Sequence, residues 1–402
     1  MSNPITGKRI VLGVTGSIAA YKAADLASKL TQSGAEVDCV LTESATKFIS
    51  PLTFQSVTGR KAYVDADLWG SEGHVVHISL ARAADLLLVA PASASTMAKL
   101  AHGIGDNLLT VTALAAECPL VIAPAMDAGM FSHPATEENV SILTERGAYF
   151  IGPEPGRLAS GLIGKGRFTE PKDILGHLRV ILSQSGSLDG VKVMVTAGPT
   201  REPLDPVRFL TNPSSGKQGY EIAQALLDAG AEVTLVSGPT QIDVPIGVEL
   251  LSVNSSQDML DAVMEEIADQ DVFISVAAVA DFRPKKKSAE KIKKTGENMQ
   301  LELEATADIL MNVANWAKAN NPDLRLIGFA AETQDVIVNA EGKLARKGLD
   351  LIIANDVSVE RTIFGGEENL VTFIYKDGVV RSYDWMNKYD VGEEIVRYLA
   401  EN

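Results

Sequence analysis

The feature that most constrains this chain is an alternation of short apolar runs with amphipathic segments. In the first half, helix-like segments start at about residues 18 and 44 and alternate with strand-like runs at residues 9–14, 36–42, 84–91 and 118–124. Continuous apolar runs of this length are typical of parallel strands that are buried on both faces. The alternation therefore predicts a doubly wound α/β domain.

The second half repeats this pattern after a polar segment at residues 182–190 that shows no periodicity. Helices are predicted at 217–229 and 256–268, a closing helix from about 389, and strands at 191–196, 232–238, 271–279, 325–332 and 349–356. Residues 370–383 alternate around Lys376, Asp377 and Gly378, which predicts a late antiparallel hairpin. We therefore expect two α/β domains, 1–185 and 186–402.

Composition excludes several classes of protein. Hydrophobic residues make up 46% of the 402 residues, enough for two packed cores, and the net charge of −16 repels nucleic acid and anionic membranes. No apolar run reaches the roughly 18 residues that a membrane-spanning helix needs, and the N-terminus lacks the pattern of a signal peptide. We expect a cytoplasmic protein in which Cys39 and Cys118 are free thiols.

Ligands of doubly wound sheets lie beyond the carboxyl ends of the strands, so the residues after each strand are candidates for a site. Gly16 and Ser17 follow the first predicted strand, and Thr42 and Ser44 follow the second. Small residues at helix starts can bind phosphate, but helix capping explains them equally well. The three-glycine dinucleotide fingerprint is absent, so NAD is not favoured.

Three further side chains of the first half could converge on one rim of the sheet. His77 follows a loop that contains glycine, and an imidazole there can act as an acid or a base. Ser93 and Asp127 follow the next two predicted strands. A lone histidine is more often structural, so only the convergence of all three residues on one rim indicates a site.

The second half contains two candidate anion sites. Residues 212–217 present an amide, two serines, a glycine and Lys217 before a helix, without the spacing of a Walker loop. Residues 283–294 hold seven basic side chains and one acid. A solvated loop, a nucleic-acid patch and a flap over a triphosphate are the three interpretations, and the position after a strand end favours the flap. Lys343 and Lys347, one helical turn apart, can add charge.

Several motifs together resemble a known family across the whole chain. They are TGSIAAYK, HISLARAADLLLVAPASAS, PAMDAGMF, AGPTREPLDPVRFLTNPSSGKQG, AAVADF, EKIKK, GFAAET and ANDVS. The chain resembles the bacterial bifunctional phosphopantothenoylcysteine decarboxylase / phosphopantothenate–cysteine ligase. The resemblance implies CTP-dependent joining of 4'-phosphopantothenate to cysteine in a Rossmann-like C-terminal domain. It also implies FMN-dependent decarboxylation to 4'-phosphopantetheine in a flavodoxin-like N-terminal domain.

The same resemblance assigns the ligase residues. Lys291 assists formation of an acyl-cytidylate, and Asn212 assists its use by cysteine. CTP is held by Asp281, Phe329, Lys343 and Lys347, and magnesium accompanies the triphosphate through ligands that the sequence does not identify.

In the N-terminal half, the resemblance places FMN against Gly16, Ser17, Thr42, Ser44 and Ser93, with His77 as the catalytic histidine. Asp127 and Ser160 depart from the family, which has an asparagine that receives the substrate carboxylate and a cysteine that helps the final reduction. A carboxylate at position 127 opposes a substrate carboxylate, and a hydroxyl at position 160 has no thiol redox chemistry. Phe131 stands at a position where tryptophan is frequent in this family, and we expect no effect of this difference on function.

Two hypotheses follow from these departures. The favoured one keeps a working decarboxylase with a variant set of residues, and the other makes the N-terminal domain a non-catalytic flavoprotein scaffold or regulatory module beside an active ligase. The resemblance also implies trimer contacts in the N-terminal domain and dimer contacts in the C-terminal one. Partners are small-molecule substrates, with neither nucleic acid nor a membrane.

Overall fold

The computed structural model describes residues 3–69, 75–294, 299–332, 334–356 and 366–402. Contacts divide the chain into two compact units, residues 3–182 and 183–402. Both units are α/β, as the apolar alternation predicted.

The N-terminal unit is built on a parallel sheet of six strands in the order β3-β2-β1-β4-β5-β6. The strands are β1 (Arg9–Val14), β2 (Glu36–Leu41), β3 (Ala62–Val64), β4 (Leu86–Ala92), β5 (Leu120–Pro124) and β6 (Tyr149–Phe150). All residues of β4 are buried, because helices cover both faces of a parallel sheet. The strand order changes direction between β1 and β4, since β2 and β3 lie on one side of β1 and β4 to β6 lie on the other, and this is the switch point of the sheet.

Helices connect the strands, and a hairpin, β7 (Glu154–Arg157) with β8 (Ile163–Arg167), follows β6. The helices are α1 (Ala20–Gln32), α2 (Glu43–Thr46), α3 (Pro51–Thr58), α4 (Val76–Ala83), α5 (Ala94–His102), α6 (Leu108–Ala115), α7 (Ala128–Phe131), α8 (Pro134–Glu145) and α9 (Pro171–Ser183).

The C-terminal unit is built on an eight-stranded sheet in the order β13-β12-β9-β14-β17-β18-β20-β21. Its strands are β9 (Lys192–Ala197), β12 (Glu232–Ser237), β13 (Glu249–Ser252), β14 (Val272–Ser275), β17 (Arg325–Glu332), β18 (Leu351–Asp356), β20 (Val371–Tyr375) and β21 (Val380–Ser382). The first six in this order are parallel, whereas β20 and β21 form the predicted antiparallel hairpin. Its switch point lies at β9.

The other elements of this unit are short strands and the helices that cover the sheet. The strands are β10 (Arg201–Pro203), β11 (Phe209–Thr211), β15 (Phe282–Pro284), β16 (Leu303–Ala305), β19 (Glu368–Asn369) and β22 (Met386–Asn387). The helices are α10 (Lys217–Asp228), α11 (Ser256–Glu266), α12 (Ile309–Asn320), α13 (Val336–Lys347) and α14 (Lys388–Glu401).

Alternate residues of the central strands enter different apolar clusters. In β1, Ile10 and Leu12 pack on one face and Val11 on the other. In β9, Val193 and Val195 pack on one face and Met194 on the other. Each sheet therefore has a core on both sides, which confirms the doubly wound class. Within the described residues, no helix has the length and apolarity to cross a membrane.

Candidate active sites

The predicted flavin residues follow three neighbouring strands of the N-terminal sheet. Gly16 and Ser17 follow β1, Thr42 and Ser44 lie at the end of β2, and Ser93 follows β4. The sheet order places β1 between β2 and β4, so these loops share the carboxyl edge at the switch point.

Direct contacts hold the loops together. Thr15 donates its hydroxyl to the Pro91 carbonyl oxygen (2.7 Å) and accepts the Ser93 backbone N–H (2.9 Å), which joins the end of β1 to that of β4. A Cβ atom at Gly16 would lie 2.6 Å from Cβ of Ser44, closer than side-chain carbons approach. Only glycine at position 16 allows this contact between the first two loops.

Capping accounts for some of the hydroxyl groups. Thr42 caps α2 by accepting the Ala45 N–H (3.3 Å), and Ser93 caps α5 by accepting the Thr96 N–H (3.3 Å). The cap of α2 is therefore Thr42, so the capping alternative does not account for Ser44. Ser44 is exposed in the first turn of α2, and its hydroxyl has no hydrogen-bond partner among the described residues.

The two residues that depart from the family are hydrogen-bonded to each other. Ser160, between β7 and β8, donates its hydroxyl to Oδ2 of Asp127 at 2.5 Å. Oδ1 of Asp127 accepts the Gly129 N–H (3.0 Å), which caps α7. The Ser160 hydroxyl, followed by the Gly129 N–H, lowers the pKa of Asp127, so this carboxyl group is ionised at neutral pH.

A cavity of about 430 Å³ opens beside this pair. Ser17, Asp127 and Ser160 line it together with Lys22, Arg157 and Arg167. His77 and Ser93 are not among its lining residues, so the cavity does not contain the whole predicted rim.

His77 lies in the first turn of α4, which ends just before β4. Its Nδ1 atom is buried and has no hydrogen-bond partner within the described part of the chain. A buried, unpaired ring nitrogen is costly unless it serves a ligand or a proton transfer.

The C-terminal unit contains a smaller pocket, of about 170 Å³, at the carboxyl edge of its sheet. Phe329 of β17 lines it, as do Ala277, Asn355, Lys388 and the first residues of α10. The predicted residues Asn212, Asp281, Lys291, Lys343 and Lys347 lie outside this lining.

The start of α10 is open toward this pocket. Gly216 takes the left-handed conformation (φ +82°) and has no capping side chain, while the hydroxyl of Ser215 accepts the Lys217 N–H (3.3 Å). Lys217 and Lys388 are the first residues of α10 and α14, where the helix dipole disfavours a cation. The positive end of the α10 dipole and the ammonium group of Lys388 favour an anion here, while Lys217 pairs with Glu367.

Lys388 is only 6% exposed, and its Nζ donates to the Gly366 carbonyl oxygen (2.5 Å). Burial, followed by the charge of Lys217, lowers the pKa of Lys388. Oδ1 of Asn355, in the same pocket, is buried and unpaired within the described residues.

Two predicted ligase residues lie on segments that other groups fix. Nδ2 of Asn212 donates to the carbonyl oxygens of Ala278 (3.3 Å) and Val279 (3.0 Å), which follow β14. Lys291 is exposed and makes no bond to described residues. The neighbouring Ile292 is anchored, because its N–H donates to Asp205 (3.1 Å) and its carbonyl oxygen accepts from Arg208 (2.7 Å).

Asp205 organises this anchor. Its Oδ2 accepts from the Arg208 guanidinium at 2.6 Å, and its Oδ1 accepts the Val207 and Arg208 N–H groups. The Arg208 guanidinium, with these backbone donors and that of Ile292, holds the pKa of Asp205 far below its usual range.

The remaining predicted CTP residues make individual contacts. Lys343 pairs with Glu332 (2.6 Å), Lys347 with Asp308 (2.7 Å), and the Asp281 side chain is exposed. In the basic run, Arg283 pairs with Glu304 (2.8 Å) across the β15–β16 hairpin. Among the described residues, no group of three His, Cys, Asp or Glu side chains could hold a metal ion.

Sequence reasoning missed Lys22, Arg157, Arg167, Asp205, Asn355 and Lys388. The position of Lys388 at a helix start gives one sequence signal, because the dipole makes lysine unfavourable there. Lys22, Asp205 and Asn355 lie in motifs that carry the family resemblance, whereas Arg157 and Arg167 have no local signal.

Comparisons with known proteins agree with the division into two units. The profile of the family described as "Flavoprotein" matches residues 1–182, and that of the "DNA/pantothenate metabolism flavoprotein C-terminal domain" matches residues 188–402. The chain is 46% identical to the coenzyme A biosynthesis bifunctional protein CoaBC of Bacillus subtilis, over 98% of this chain and 97% of the relative. It is 44% identical to CoaBC of Vibrio parahaemolyticus, over 93% of each chain.

A solved structure of a CoaBC C-terminal domain is 42% identical, covers 54% of this chain and 97% of that one, and has a TM-score of 0.46. Family membership rests on the full-length relatives and the two profiles, which agree with the family that the motifs resemble. The chain belongs to the CoaBC family of bifunctional enzymes of coenzyme A biosynthesis.

Proposed function

We propose that this chain carries out two consecutive steps of coenzyme A biosynthesis in the cytoplasm. Residues 186–402 join 4'-phosphopantothenate to cysteine with CTP through an acyl-cytidylate, and residues 1–185 decarboxylate the product with FMN. The observation that carries the proposal is that each unit has its own lined cavity at the carboxyl ends of parallel strands.

For the ligase, the pocket of the C-terminal unit supplies groups that suit a nucleotide. Phe329 offers an aromatic face, and the positive end of the α10 dipole with the ammonium group of Lys388 offers positive charge for phosphates, while Lys217 pairs with Glu367. The anchored backbone at Ile292 holds Lys291 in place while its ammonium group stays free to stabilise charge on a transferring phosphoryl group. Because the described residues form no acidic metal cage, magnesium in this proposal arrives with the triphosphate.

For the decarboxylase, the loops after β1, β2 and β4 suit a flavin phosphate, since Ser44 keeps a free hydroxyl beside Gly16. Bound FMN supplies reversible two-electron redox chemistry. His77 is available as an acid or base, because its Nδ1 has no partner in the described structure. Thr15 and Gly16 keep the loops in register through the contacts to Pro91 and Ser44.

The second candidate is a ligase with a non-catalytic flavoprotein unit. Asp127 and Ser160 favour it, because both differ from the residues that the family resemblance assigns to decarboxylation. The two side chains are also hydrogen-bonded to each other. Retention of His77 supports the bifunctional enzyme.

An assay of products separates the two candidates. Purified protein is incubated with FMN, Mg²⁺, CTP, 4'-phosphopantothenate and cysteine, with a control that lacks CTP, and the products are separated. CTP-dependent 4'-phosphopantetheine supports two activities, whereas phosphopantothenoylcysteine alone supports the ligase with a scaffold. Formation of neither product contradicts the proposal.

A further inference from the structure

The cavity of the N-terminal unit is basic in a chain that is acidic overall. Three cations, Lys22, Arg157 and Arg167, line it with one acid, Asp127, whereas the whole chain has a net charge of −16. Lys22 comes from α1, and the two arginines come from the two strands of the β7–β8 hairpin. A concentration of positive charge on separate elements around one cavity requires a physical reason.

Two of the cations are fixed side by side. Oε1 of Glu170 accepts from Nζ of Lys22 (2.8 Å) and from the guanidinium of Arg167, and both contacts lower the pKa of Glu170. The Lys22 side chain is only 19% exposed. Glu170 offsets one positive charge and orients the other donors of both groups.

The remaining charges leave the cavity suited to an anion. Arg157 has no ion-pair partner within the described residues. Asp127 adds one negative charge but forms no ion pair with these cations in the described residues, since its two oxygens accept from Ser160 and from the Gly129 N–H. The three cations with Glu170 and Asp127 therefore keep a net positive charge.

We propose that Lys22, Arg157 and Arg167 form an anion subsite that binds the phosphate monoester of the substrate of the N-terminal unit. The inference rests on the proposed function and adds the group that this unit recognises. Two guanidinium groups and an ammonium group suit a phosphate, which has three acceptor oxygens and nearly two negative charges. A carboxylate has one charge and two oxygens, and it uses these donors less completely.

Two ligands that differ only in the phosphate group allow a direct test by binding. The full-length protein loaded with FMN is titrated with 4'-phosphopantetheine and with pantetheine, followed by calorimetry and by the visible flavin spectrum. The flavin spectrum reports the N-terminal unit alone. We expect the phosphorylated ligand to bind about tenfold or more tightly, as charge-assisted hydrogen bonds require. Arg167→Gln is expected to remove most of this preference, and Lys22→Gln to reduce it.

Lys165→Gln is the matched control, because Lys165 lies on the same strand, is exposed and is absent from the cavity lining. It should keep the preference for phosphate. Equal affinity for the two ligands, or a preference that survives Arg167→Gln and Lys22→Gln, overturns the inference.

A third ligand separates phosphate from carboxylate. Pantothenoylcysteine has a carboxylate without a phosphate, and Arg167→Gln should change its affinity little. If Arg167→Gln weakens the binding of pantothenoylcysteine but not that of 4'-phosphopantetheine, the cations bind a carboxylate and the phosphate assignment is overturned. Failure to take up FMN contradicts the proposed function instead, and calorimetry with the same ligands still tests the subsite.

Discussion

Replacing Gly16 by alanine is expected to force apart the loops after β1 and β2. The new Cβ would lie 2.6 Å from Cβ of Ser44, whereas carbon atoms pack at about 3.5–4.0 Å. The loops must therefore separate by about 1 Å. Such a movement takes one or two donors out of range of a bound phosphate, and each charge-assisted hydrogen bond is worth about 1.5–3 kcal/mol. We expect the Kd for FMN to rise about 10- to 100-fold.

Quenching of flavin fluorescence on binding measures this Kd, and a thermal melt of each variant checks that the unit stays folded. Ser44→Gly is the matched partner, because it removes the atom that the new Cβ would contact. In that background, Gly16→Ala should cost less than about threefold, which makes the two substitutions non-additive. An equal loss in both backgrounds, or no loss in either, would refute the packing argument.

Three further predictions concern single contacts. Ser160→Ala removes the main cause of the low pKa of Asp127. The stability that this bond adds should be present above the unperturbed pKa of about 3.9 and disappear as pH falls through the native value, measured as the difference in Tm from wild type. Lys388 has a lowered native pKa, so the unfolded chain binds more protons and stability rises with pH from the native pKa up to the unfolded pKa of about 10.4. Lys388→Met should abolish this rise and increase Tm at neutral pH. It should also raise KM for CTP about tenfold. The control Lys376→Met, at an exposed position, should produce none of these three effects. Asp205→Asn should lower kcat of ligation about tenfold by loosening the anchor beside Lys291, since small displacements of catalytic groups are costly. Decarboxylation of supplied phosphopantothenoylcysteine should not change, and an equal loss of both activities would contradict that role.

The sequence predicted the long central strands well because their signal is local, whereas it did not predict the short strands such as β10 and β11. The strand expected at 191–196 is Lys192–Ala197, and the helix expected at 217–229 is Lys217–Asp228. The late hairpin was predicted from the turn at Gly378, which has φ +87°. Apolar runs and turn residues determine these elements with little contribution from distant segments.

The site contacts depend on segments that are far apart in sequence. Ser160 and Asp127 could be named from the family motifs, but their hydrogen bond spans 33 residues and follows from the way the β7–β8 hairpin returns to α7. Thr42 caps α2 because β2 ends at Leu41, one residue before the end of the strand-like run predicted at 36–42. The burial of Lys388 depends on packing that the sequence around α14 does not encode.

The central claim is that two units carry two separate steps, and product analysis of two variants tests it most directly. Lys291→Ala should form neither product from 4'-phosphopantothenate, yet still decarboxylate supplied phosphopantothenoylcysteine. His77→Asn should accumulate phosphopantothenoylcysteine at the wild-type rate and form little 4'-phosphopantetheine. A His77→Asn variant that still forms 4'-phosphopantetheine at the wild-type rate, or a Lys291→Ala variant that still ligates, would contradict the account.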